Sequence, residues 1–185
     1  MNYVAAGHLG GYLVGGDEAT FYPDLWKWLV EELGVKSVLD VGCGEGQALQ
    51  YFRDLLGCKV AGLEGVPQKD PDIVQWDFTK GKWTPEQKFD LVWACEFLEH
   101  VEEQYISNLV PAFQSAPLVL VTHAFPGQQG YHHVNCRNED YWLGFFAAAG
   151  FVLDNPKTMI TREVARKNEN PYNHYLRSGL VFKKT

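Results

Sequence analysis

Residues 123–142, HAFPGQQGYHHVNCRNEDYW, concentrate side chains that can perform acid–base or metal chemistry. The stretch contains His123, His132 and His133, together with a cysteine and Asn135. Histidine changes its charge near pH 7 more readily than other side chains, and its imidazole is also a common metal ligand. The pattern therefore leaves two kinds of site open, a general base on an active-site loop or a metal centre.

A metal centre is the weaker of these two interpretations. His132 and His133 are adjacent, and neighbouring side chains of an extended segment point to opposite faces, so both cannot readily ligate one ion. His123, one member of the pair and Glu96 could converge, but Mg²⁺ prefers carboxylate oxygens and water, and the loop offers few acids. We expect no metal.

A general base requires that one of the adjacent histidines faces a pocket while the other faces the protein. His133 and Asn135 share a face of an extended segment, which would place a base beside an amide able to orient a hydroxyl. We predict His133 as the catalytic residue, with His132 as the alternative. A structural role, in which both imidazoles only hydrogen-bond the loop, stays open from the sequence.

A second stretch with chemical content is VLDVGCGEG, residues 38–46. Asp40 is followed by glycines at alternate positions, which are Gly42, Gly44 and Gly46. Glycines allow a tight turn that passes close to a ligand. The dinucleotide fingerprint is instead G-x-G-x-x-G with a pyrophosphate at a helix N-terminus, and Glu45 within the loop is poorly suited to a phosphate. The pattern favours a ligand that carries no phosphate here.

Apolar, β-rich runs alternate with helical patterns along the chain. The predicted strands cover residues 37–42, 59–64, 72–77, 89–95, 117–123, 151–154 and 179–184. The predicted helices cover residues 20–34, 47–57, 99–113 and 139–150. Runs without strict alternation are typical of strands covered on both faces, so the rhythm predicts a doubly wound α/β domain. Functional residues are expected just after each strand, because ligands bind at the carboxyl ends in such sheets.

The N-terminal region precedes the first predicted helix, for which Thr20 is a candidate cap and Pro23 suits the first turn. Residues 7–16 contain five glycines. Such a segment costs entropy to order, and a flexible lid over a pocket is one reason to keep it, a disordered tail being the alternative. We therefore divide the chain into a lid segment, residues 1–19, and one domain, residues 20–185.

Composition limits the partners and the compartment. The net charge of −7 argues against a nucleic-acid partner, because phosphate contacts usually require a basic face. The four scattered cysteines form no C-x-x-C pair, so we expect reduced thiols rather than disulfides or a zinc framework. No apolar run of about 18 residues and no secretory leader are recognisable, so we expect a cytoplasmic protein without a membrane partner.

VLDVGCGEG resembles the first motif of class I S-adenosylmethionine-dependent methyltransferases, and the likeness extends over roughly residues 20–184. GLEG places Glu64 at the end of the second strand, where the family's acid holds the ribose hydroxyls. QWDF places Asp77 after the third strand, where the family's acid takes the adenine amino group, with Trp76 and Phe78 to pack on the ring. FDLVWACEFLEHV resembles the stretch after the fourth strand that lines the methionine end.

This resemblance implies a mostly parallel, seven-stranded Rossmann-like sheet with an antiparallel last strand. It implies S-adenosylmethionine as the cofactor and S-adenosylhomocysteine as the product. The implied cofactor contacts are Asp40, Gly42, Cys43, Gly44, Glu64, Gly65, Asp77, Phe78, Cys95 and Glu96.

The acceptor is less closely indicated. GGYLVGGDEATFYPDLW, EFLEHV and GYHHVNCRNEDYW resemble a narrower group of compact bacterial and viral methyltransferases associated with glycan assembly, which implies a small polar acceptor with a sugar hydroxyl. The candidate acceptor contacts are His100, His123, Tyr131 and Asn135. The [DN]-P-P-[YF] motif of nucleobase amine methyltransferases is missing after the fourth strand, and we interpret NPY at 170–172 as a turn.

Two alternatives to a sugar O-methyltransferase stay open. One is an N- or carboxyl-methyltransferase of another small molecule. The other is a catalytically idle cofactor-binding subunit that acts with a second chain. The sequence does not indicate the oligomeric state.

Overall fold

The computed structural model describes residues 7–10, 12–170 and 172–185. The predicted lid segment is therefore described only over residues 7–10 and 12–19, and residues 1–6 and Gly11 lie outside the described residues. Pro171, in the predicted turn at 170–172, also lies outside them. In the described ranges, no helix combines the length and the apolar character needed to cross a membrane.

Seven strands in the described part of the chain form one sheet. They are β1 (Ser37–Val41), β2 (Lys59–Glu64), β3 (Ile73–Gln75), β4 (Leu91–Ala94), β5 (Leu118–Val121), β6 (Phe151–Leu153) and β7 (Leu180–Lys184). Their order is β3-β2-β1-β4-β5-β7-β6. The first five strands pair in parallel, and β7 pairs antiparallel with both β5 and β6. The predicted doubly wound sheet with an antiparallel last strand is confirmed.

The sheet is buried on both faces, as its apolar strands predict. Leu39 and Val41 of β1 join one hydrophobic cluster with Trp142 and Phe146, while Val38 joins a second cluster with Trp26 on the opposite face. All six side chains are fully buried. Alternate residues of one strand therefore serve two cores.

Six α-helices lie in the described ranges. They are α1 (Pro23–Leu33), α2 (Gln47–Gln50), α3 (Val110–Phe113), α4 (Glu139–Ala148), α5 (Asn155–Ala165) and α6 (His174–Ser178). The prediction that Thr20 caps the first helix is wrong. Thr20 ends a separate 3-10 turn that Asp17 caps, and the helix begins at Pro23, whose missing N–H suits its first turn.

Two other predicted helices are irregular. The helix expected over 47–57 has one α-turn, α2, and continues as a π-helix over Tyr51–Leu55. The helix expected over 99–113 is mostly 3-10 structure, Leu98–His100 and Glu103–Leu109, and only α3 is α-helical. A residue near the start of this segment, Glu96, has a φ of 50°, so the chain turns sharply before any helix can form.

The sequence analysis missed α5 and α6, which follow β6. A capping signal for α5 was present, because Asp154 accepts a hydrogen bond from the Lys157 amide and Pro156 lies in the first turn. α6 has five residues and no readable period. Its N-cap is Asn173, whose side chain accepts from the Leu176 amide at 3.0 Å. These two helices matter because α6 brings His174 to the site described next.

Candidate active site

A cavity of about 330 Å³ opens at the carboxyl ends of β1, β2 and β4. The glycine loop after β1 forms one wall, and the lid segment forms another. The turn after β4 and the loop after β5 form the remaining wall. This is the position at which ligands bind in doubly wound sheets.

The glycine loop takes backbone conformations that only glycine adopts easily. Gly42, Gly44 and Gly46 have φ values of 78°, 55° and 79°. A Cβ on Gly42 would lie 2.2 Å from the ring of Phe97, whereas a Cβ on Gly44 would meet no atom within 4 Å. Gly42 is therefore required by packing, and Gly44 leaves open space beside the cavity.

Two acids stand at the base of this loop. Glu64, at the end of β2, accepts hydrogen bonds at 3.0 Å from the amides of Gly44 and Val66. Asp40, at the end of β1, is 4% exposed. Burial, followed by the neighbouring Glu64, raises the pKa of Asp40 to about 8. Burial also raises the pKa of Glu64, although its amide donors act in the opposite direction.

Asp77 follows β3 and is already engaged. Its Oδ1 accepts hydrogen bonds from the amide and the hydroxyl of Thr79 at 2.9 and 2.7 Å. Its Oδ2 accepts from His8 Nε2 at 3.0 Å and lies 3.6 Å from Lys80 Nζ. Burial alone would raise the pKa of Asp77, but these hydrogen bonds lower it below its usual range. Sequence reasoning gave no sign of the His8 contact.

The lid segment is held to the glycine loop by Glu45. The Glu45 carboxylate accepts hydrogen bonds from the hydroxyl of Tyr12 at 3.2 Å and from the amide of Gly15 at 3.0 Å. Gln47 donates to the carbonyl of Gly15 at 3.2 Å. Farther out, Leu9 packs closely against Gly65. A Cβ on Gly65 would lie 2.4 Å from a methyl group of Leu9. The described part of the lid segment therefore covers the cavity.

Cys95 and Glu96 line the cavity after β4. The Glu96 carboxylate accepts a hydrogen bond from Thr122 at 2.8 Å and lies 3.1 Å from Nδ1 of His174. His174 is a site residue that sequence reasoning missed. Burial, then Glu96, raises the pKa of the Cys95 thiol well above its usual value, and burial raises that of Cys43, so neither is a reactive thiolate.

Two imidazoles, those of His100 and His133, line the cavity side by side. His100 Nδ1 lies 3.2 Å from the carbonyl of His132, and His133 Nδ1 lies 3.2 Å from the carbonyl of Gln128. The two rings are 5.1 Å apart in an edge-to-face arrangement. Burial, followed by the proximity of His133, lowers the pKa of His100 to about 4.

The predicted acceptor residues divide into two groups. His100, Tyr131 and His133 line the cavity. His123 and Asn135 are each only 1% exposed and, like His132, are not among the described residues that line it. His132 has a φ of 53° and packs against Gly10 of the lid segment. A Cβ on Gly10 would lie 2.0 Å from the Cβ of His132. Of the two adjacent histidines, His133 is the one with access to the cavity.

The cavity is acidic, and this decides what it can hold. Its lining carboxylates are Asp17, Asp40, Glu45, Glu64, Asp77, Glu96 and Glu102. The lining residues include no lysine or arginine in the described part of the chain. A nucleotide diphosphate would be repelled by this lining, whereas a cationic ligand with ribose hydroxyls and an amine would be attracted.

Comparison with solved structures places this architecture among methyltransferases. The 1,6-didemethyltoxoflavin-N1-methyltransferase of Burkholderia thailandensis, solved with its substrate and S-adenosylhomocysteine, is 16% identical, with a TM-score of 0.61 over 100% of this chain and 93% of that chain. The sugar N-methyltransferase KedS8 from a Streptoalloteichus species is 16% identical, with a TM-score of 0.59 over 76% and 82%.

A third structure is an O-methyltransferase from a trans-AT PKS multienzyme of Brevibacillus brevis in complex with S-adenosylhomocysteine. It is 14% identical, with a TM-score of 0.57 over 88% of this chain and 71% of that chain. No curated protein matches the chain significantly. At these identities the three structures show a shared fold.

The family itself is shown by sequence. Residues 19–154, which are 136 of the 185 residues, match the family model described as a methyltransferase domain. The matched range begins just before α1 and ends after β6, so it contains the glycine loop, the acids after β2 and β3, and both imidazoles of the cavity. The chain belongs to the methyltransferase domain family.

Proposed function

We propose that the protein transfers a methyl group from S-adenosylmethionine to an oxygen of a small polar acceptor, and that the acceptor is a sugar hydroxyl. The observation that carries the proposal is the pair of imidazoles, His100 and His133, which line the cavity with their rings 5.1 Å apart. An alcohol has a pKa far above neutral, so its methylation requires a group that removes or displaces the proton. A neutral amine acceptor would need little help of this kind.

The residues fit the proposed cofactor. When bound, S-adenosylmethionine supplies a methyl group that is already activated on a sulfonium. Asp40 and Glu96 place negative charge near a cation, and Glu64 offers carboxylate oxygens to hydroxyls. Gly44 leaves room for a ligand at the loop. We assign the remaining cofactor contacts as the sequence predicts, to Gly42, Cys43, Gly65, Asp77, Phe78 and Cys95.

The protein has two tasks in such a transfer, which are to position the acceptor in line with the departing sulfur and to exclude water. The lid segment serves the second task, because Tyr12 and Gly15 close over the glycine loop through Glu45. His133 serves the first. Its Nδ1 faces the Gln128 carbonyl, which favours the tautomer with a proton on Nδ1 and leaves Nε2 as the acceptor of a hydroxyl proton.

A hydroxyl-rich acceptor suits the outer part of the cavity. Gln128, Gln129 and Glu102 line it with amide and carboxylate groups. Tyr131 is 45% exposed and lines the cavity, and we assign its ring to packing against a face of the sugar. The resemblance to glycan-associated methyltransferases points the same way, and one of the compared structures is a sugar N-methyltransferase.

Two measurements test the proposal. Calorimetry should give saturable binding of S-adenosylhomocysteine and none of NAD, since the lining is acidic. Radiolabelled methyl donor should then label members of a panel of sugars without phosphate groups, since the lining is acidic. Substitution His133→Ala should lower turnover about 10²–10⁴-fold, the usual contribution of a general base, without loss of cofactor binding.

Other acceptors are outcomes of the same experiment. Labelling of amines but not of sugars, with turnover unchanged in His133→Ala, would make the protein an N-methyltransferase. Labelling that requires a second chain would make it a partner subunit. His132→Ala is a matched control for loop damage, because it removes the adjacent imidazole, which is not among the described residues that line the cavity, and it should retain most of the turnover.

A further inference from the structure

Three possible metal ligands converge at the wall of the cavity that His100 and His133 line. One carboxylate oxygen of Glu99 and one ring nitrogen each of His100 and His133 lie within 4.8 Å of one another. Glu99 and His100 come from the 3-10 turn after β4, and His133 comes from the loop after β5. Bonds of about 2.0–2.2 Å to one ion bring ligand atoms within about 3–3.5 Å, so small side-chain movements suffice.

The Glu99 carboxylate lacks the partner that a buried charge needs. Glu99 is 0% exposed, its carboxylate oxygens have no N–H or cationic partner among the described residues, and its neighbouring side chain is a second carboxylate, Glu96. Its backbone carbonyl accepts hydrogen bonds from the amides of Val134 and Asn135, each at 3.0 Å, which ties the turn to the loop that carries His133. Burial of an unpaired carboxylate is costly, and a cation at this point removes the cost.

The two imidazoles are held as metal-binding imidazoles usually are. Each has its Nδ1 3.2 Å from a backbone carbonyl, that of His132 for His100 and that of Gln128 for His133. Such a contact fixes the tautomer and leaves Nε2 with a free lone pair. Gly130 lies on the Nε2 side of the His133 ring, where a Cβ would be 2.1 Å from Nε2, so the lack of a side chain at Gly130 keeps this nitrogen accessible.

We infer that Glu99, His100 and His133 bind one divalent transition-metal ion, whose open positions face the acceptor. Two imidazoles and one carboxylate are a donor set for Mn²⁺, Co²⁺ or Zn²⁺ rather than for Mg²⁺ or Ca²⁺, which prefer oxygen. Three protein ligands leave coordination positions open. Two adjacent hydroxyls of a sugar can fill them.

This inference rests on the proposed O-methylation and changes the role of His133 from base to ligand. A hydroxyl bound to the ion is more acidic and loses its proton to water through the open cavity. The oxygen lone pair then forms the new O–C bond to the methyl group, while the C–S bond breaks and its electron pair stays on sulfur. No oxidant or reductant is needed.

In the sequence, the adjacent His132 and His133 form the obvious pair of imidazoles, and adjacent side chains cannot readily ligate one ion. In the structure the partner of His133 is instead His100, 33 positions earlier in the chain. His132 faces Gly10 and is not one of the three ligands. That adjacent histidines cannot share an ion therefore does not exclude a site formed by His100 and His133. Glu99 supplies the acid that the loop itself lacks.

Metal binding is measured directly, without donor or acceptor. Mn²⁺ titrated into the protein and followed by electron paramagnetic resonance should show one saturable site per chain, and Zn²⁺ should compete for it. Glu99→Gln, His100→Ala and His133→Ala should each weaken Mn²⁺ binding at least tenfold. His132→Ala is the matched control, because it removes the adjacent imidazole, and it should bind as the wild type does.

Thermal unfolding keeps the test decisive where a variant folds poorly. The wild type and His132→Ala should gain several degrees of Tm in excess Mn²⁺, whereas Glu99→Gln should gain none, even if its own Tm is higher because a buried ionisable group is gone. No saturable Mn²⁺ or Zn²⁺ site in the wild type overturns the inference. Equal affinity in Glu99→Gln and His133→Ala also overturns it.

Failure of this inference is distinguishable from failure of the proposed function. One outcome is methyl transfer to a sugar that persists in the presence of a chelator and in Glu99→Gln but is lost in His133→Ala. That result supports His133 as a general base and overturns the metal site. A saturable site that depends on Glu99 and both histidines supports the metal, whichever acceptor is labelled.

Discussion

His8 donates a hydrogen bond to Asp77 at 3.0 Å. The lid segment therefore contacts the carboxylate that, by the family resemblance, is expected to bind the adenine amino group. The Asp77 side chain is 9% exposed, and its other oxygen is taken by Thr79. The oxygen held by His8 is therefore the one left for a ligand. A cofactor that binds there must displace the imidazole or share the oxygen with it.

Removal of this competitor should tighten cofactor binding. We expect His8→Ala to lower the Kd for S-adenosylhomocysteine about two- to fivefold, the equivalent of about 0.5–1 kcal/mol for a partly exposed ionic hydrogen bond. Calorimetry measures the change, and Asp77→Asn is the companion variant that should weaken binding. A higher Kd in His8→Ala would mean instead that the imidazole closes over the bound cofactor.

Glu45 should control how often the lid segment opens. It accepts hydrogen bonds from Tyr12 and from the Gly15 amide, so Glu45→Ala removes both at once. We expect the amides of residues 12–16 to exchange with deuterium about tenfold faster, which corresponds to about 1.4 kcal/mol of lost local protection. Tyr12→Phe removes one bond and should give a smaller effect. Unchanged exchange in Glu45→Ala would show that other contacts hold the segment.

Binding of the donor should release a proton. In the ligand-free protein the pKa of Asp40 is about 8, because burial and then Glu64 disfavour its charge, so at pH 7 it is mostly protonated. A cationic ligand favours the carboxylate and lowers this pKa. Affinity for S-adenosylmethionine should therefore rise with pH up to about 8 and become constant above it.

The release is measured by calorimetry at pH 7 in buffers of different ionisation enthalpy. About one proton should be released per S-adenosylmethionine bound, and less above pH 8. Asp40→Asn should remove most of this release and flatten the pH dependence. Equal proton release in Asp40→Asn and the wild type would assign the proton to another group.

The residues that sequence reasoning located differ from those it missed in how they reach the cavity. Glu64, Asp77 and Cys95 lie at or just after strand ends, so the order of strands alone places them. The sequence indicates only that Glu45 is unsuited to a phosphate. It does not predict the partners of Glu45, because they lie about 30 residues earlier, in the lid segment. Contacts of that kind have no local sequence signal.

The acceptor end was harder to predict for the same reason. The juxtaposition of His100 with His133 depends on how the loop after β5 folds over the turn after β4. His174 arrives on α6, a helix too short for a hydrophobic period. His123 was expected at the acceptor but points into the core, where it contacts the rings of Phe125 and Trp142.

One buried hydroxyl contributes to the docking of α6. The Tyr22 hydroxyl accepts a hydrogen bond from the amide of Tyr175 at 3.0 Å, and Tyr22 is 1% exposed. Tyr22→Phe leaves that buried amide without its partner, so we expect a loss of about 1–3 kcal/mol of unfolding free energy. Urea denaturation measures it. Tyr175→Phe loses only a longer hydrogen bond to Thr161, at 3.3 Å, and should lower the unfolding free energy by less. A larger loss in Tyr175→Phe than in Tyr22→Phe would mean that the Tyr22 hydroxyl is not the main contact holding α6.

The glycine loop offers a test that separates strain from ligand binding. Gly44 has a φ of 55° and a Cβ there would meet no atom within 4 Å, so Gly44→Ala costs only the left-handed backbone strain, about 1–2 kcal/mol of unfolding free energy. Gly34, at the C-terminus of α1, has a φ of 69° and equally open surroundings, but it does not line the cavity. Gly34→Ala is therefore a control matched in strain.

We expect the two variants to unfold at similar urea concentrations and to differ in cofactor affinity. Gly44→Ala projects a methyl group into the space that the cofactor would use and should raise the Kd for S-adenosylhomocysteine at least tenfold, whereas Gly34→Ala should leave it unchanged. Gly42→Ala adds a collision with Phe97 and should lose several kcal/mol of stability as well. If Gly44→Ala bound S-adenosylhomocysteine as tightly as Gly34→Ala, the loop after β1 would not be the surface on which the cofactor rests.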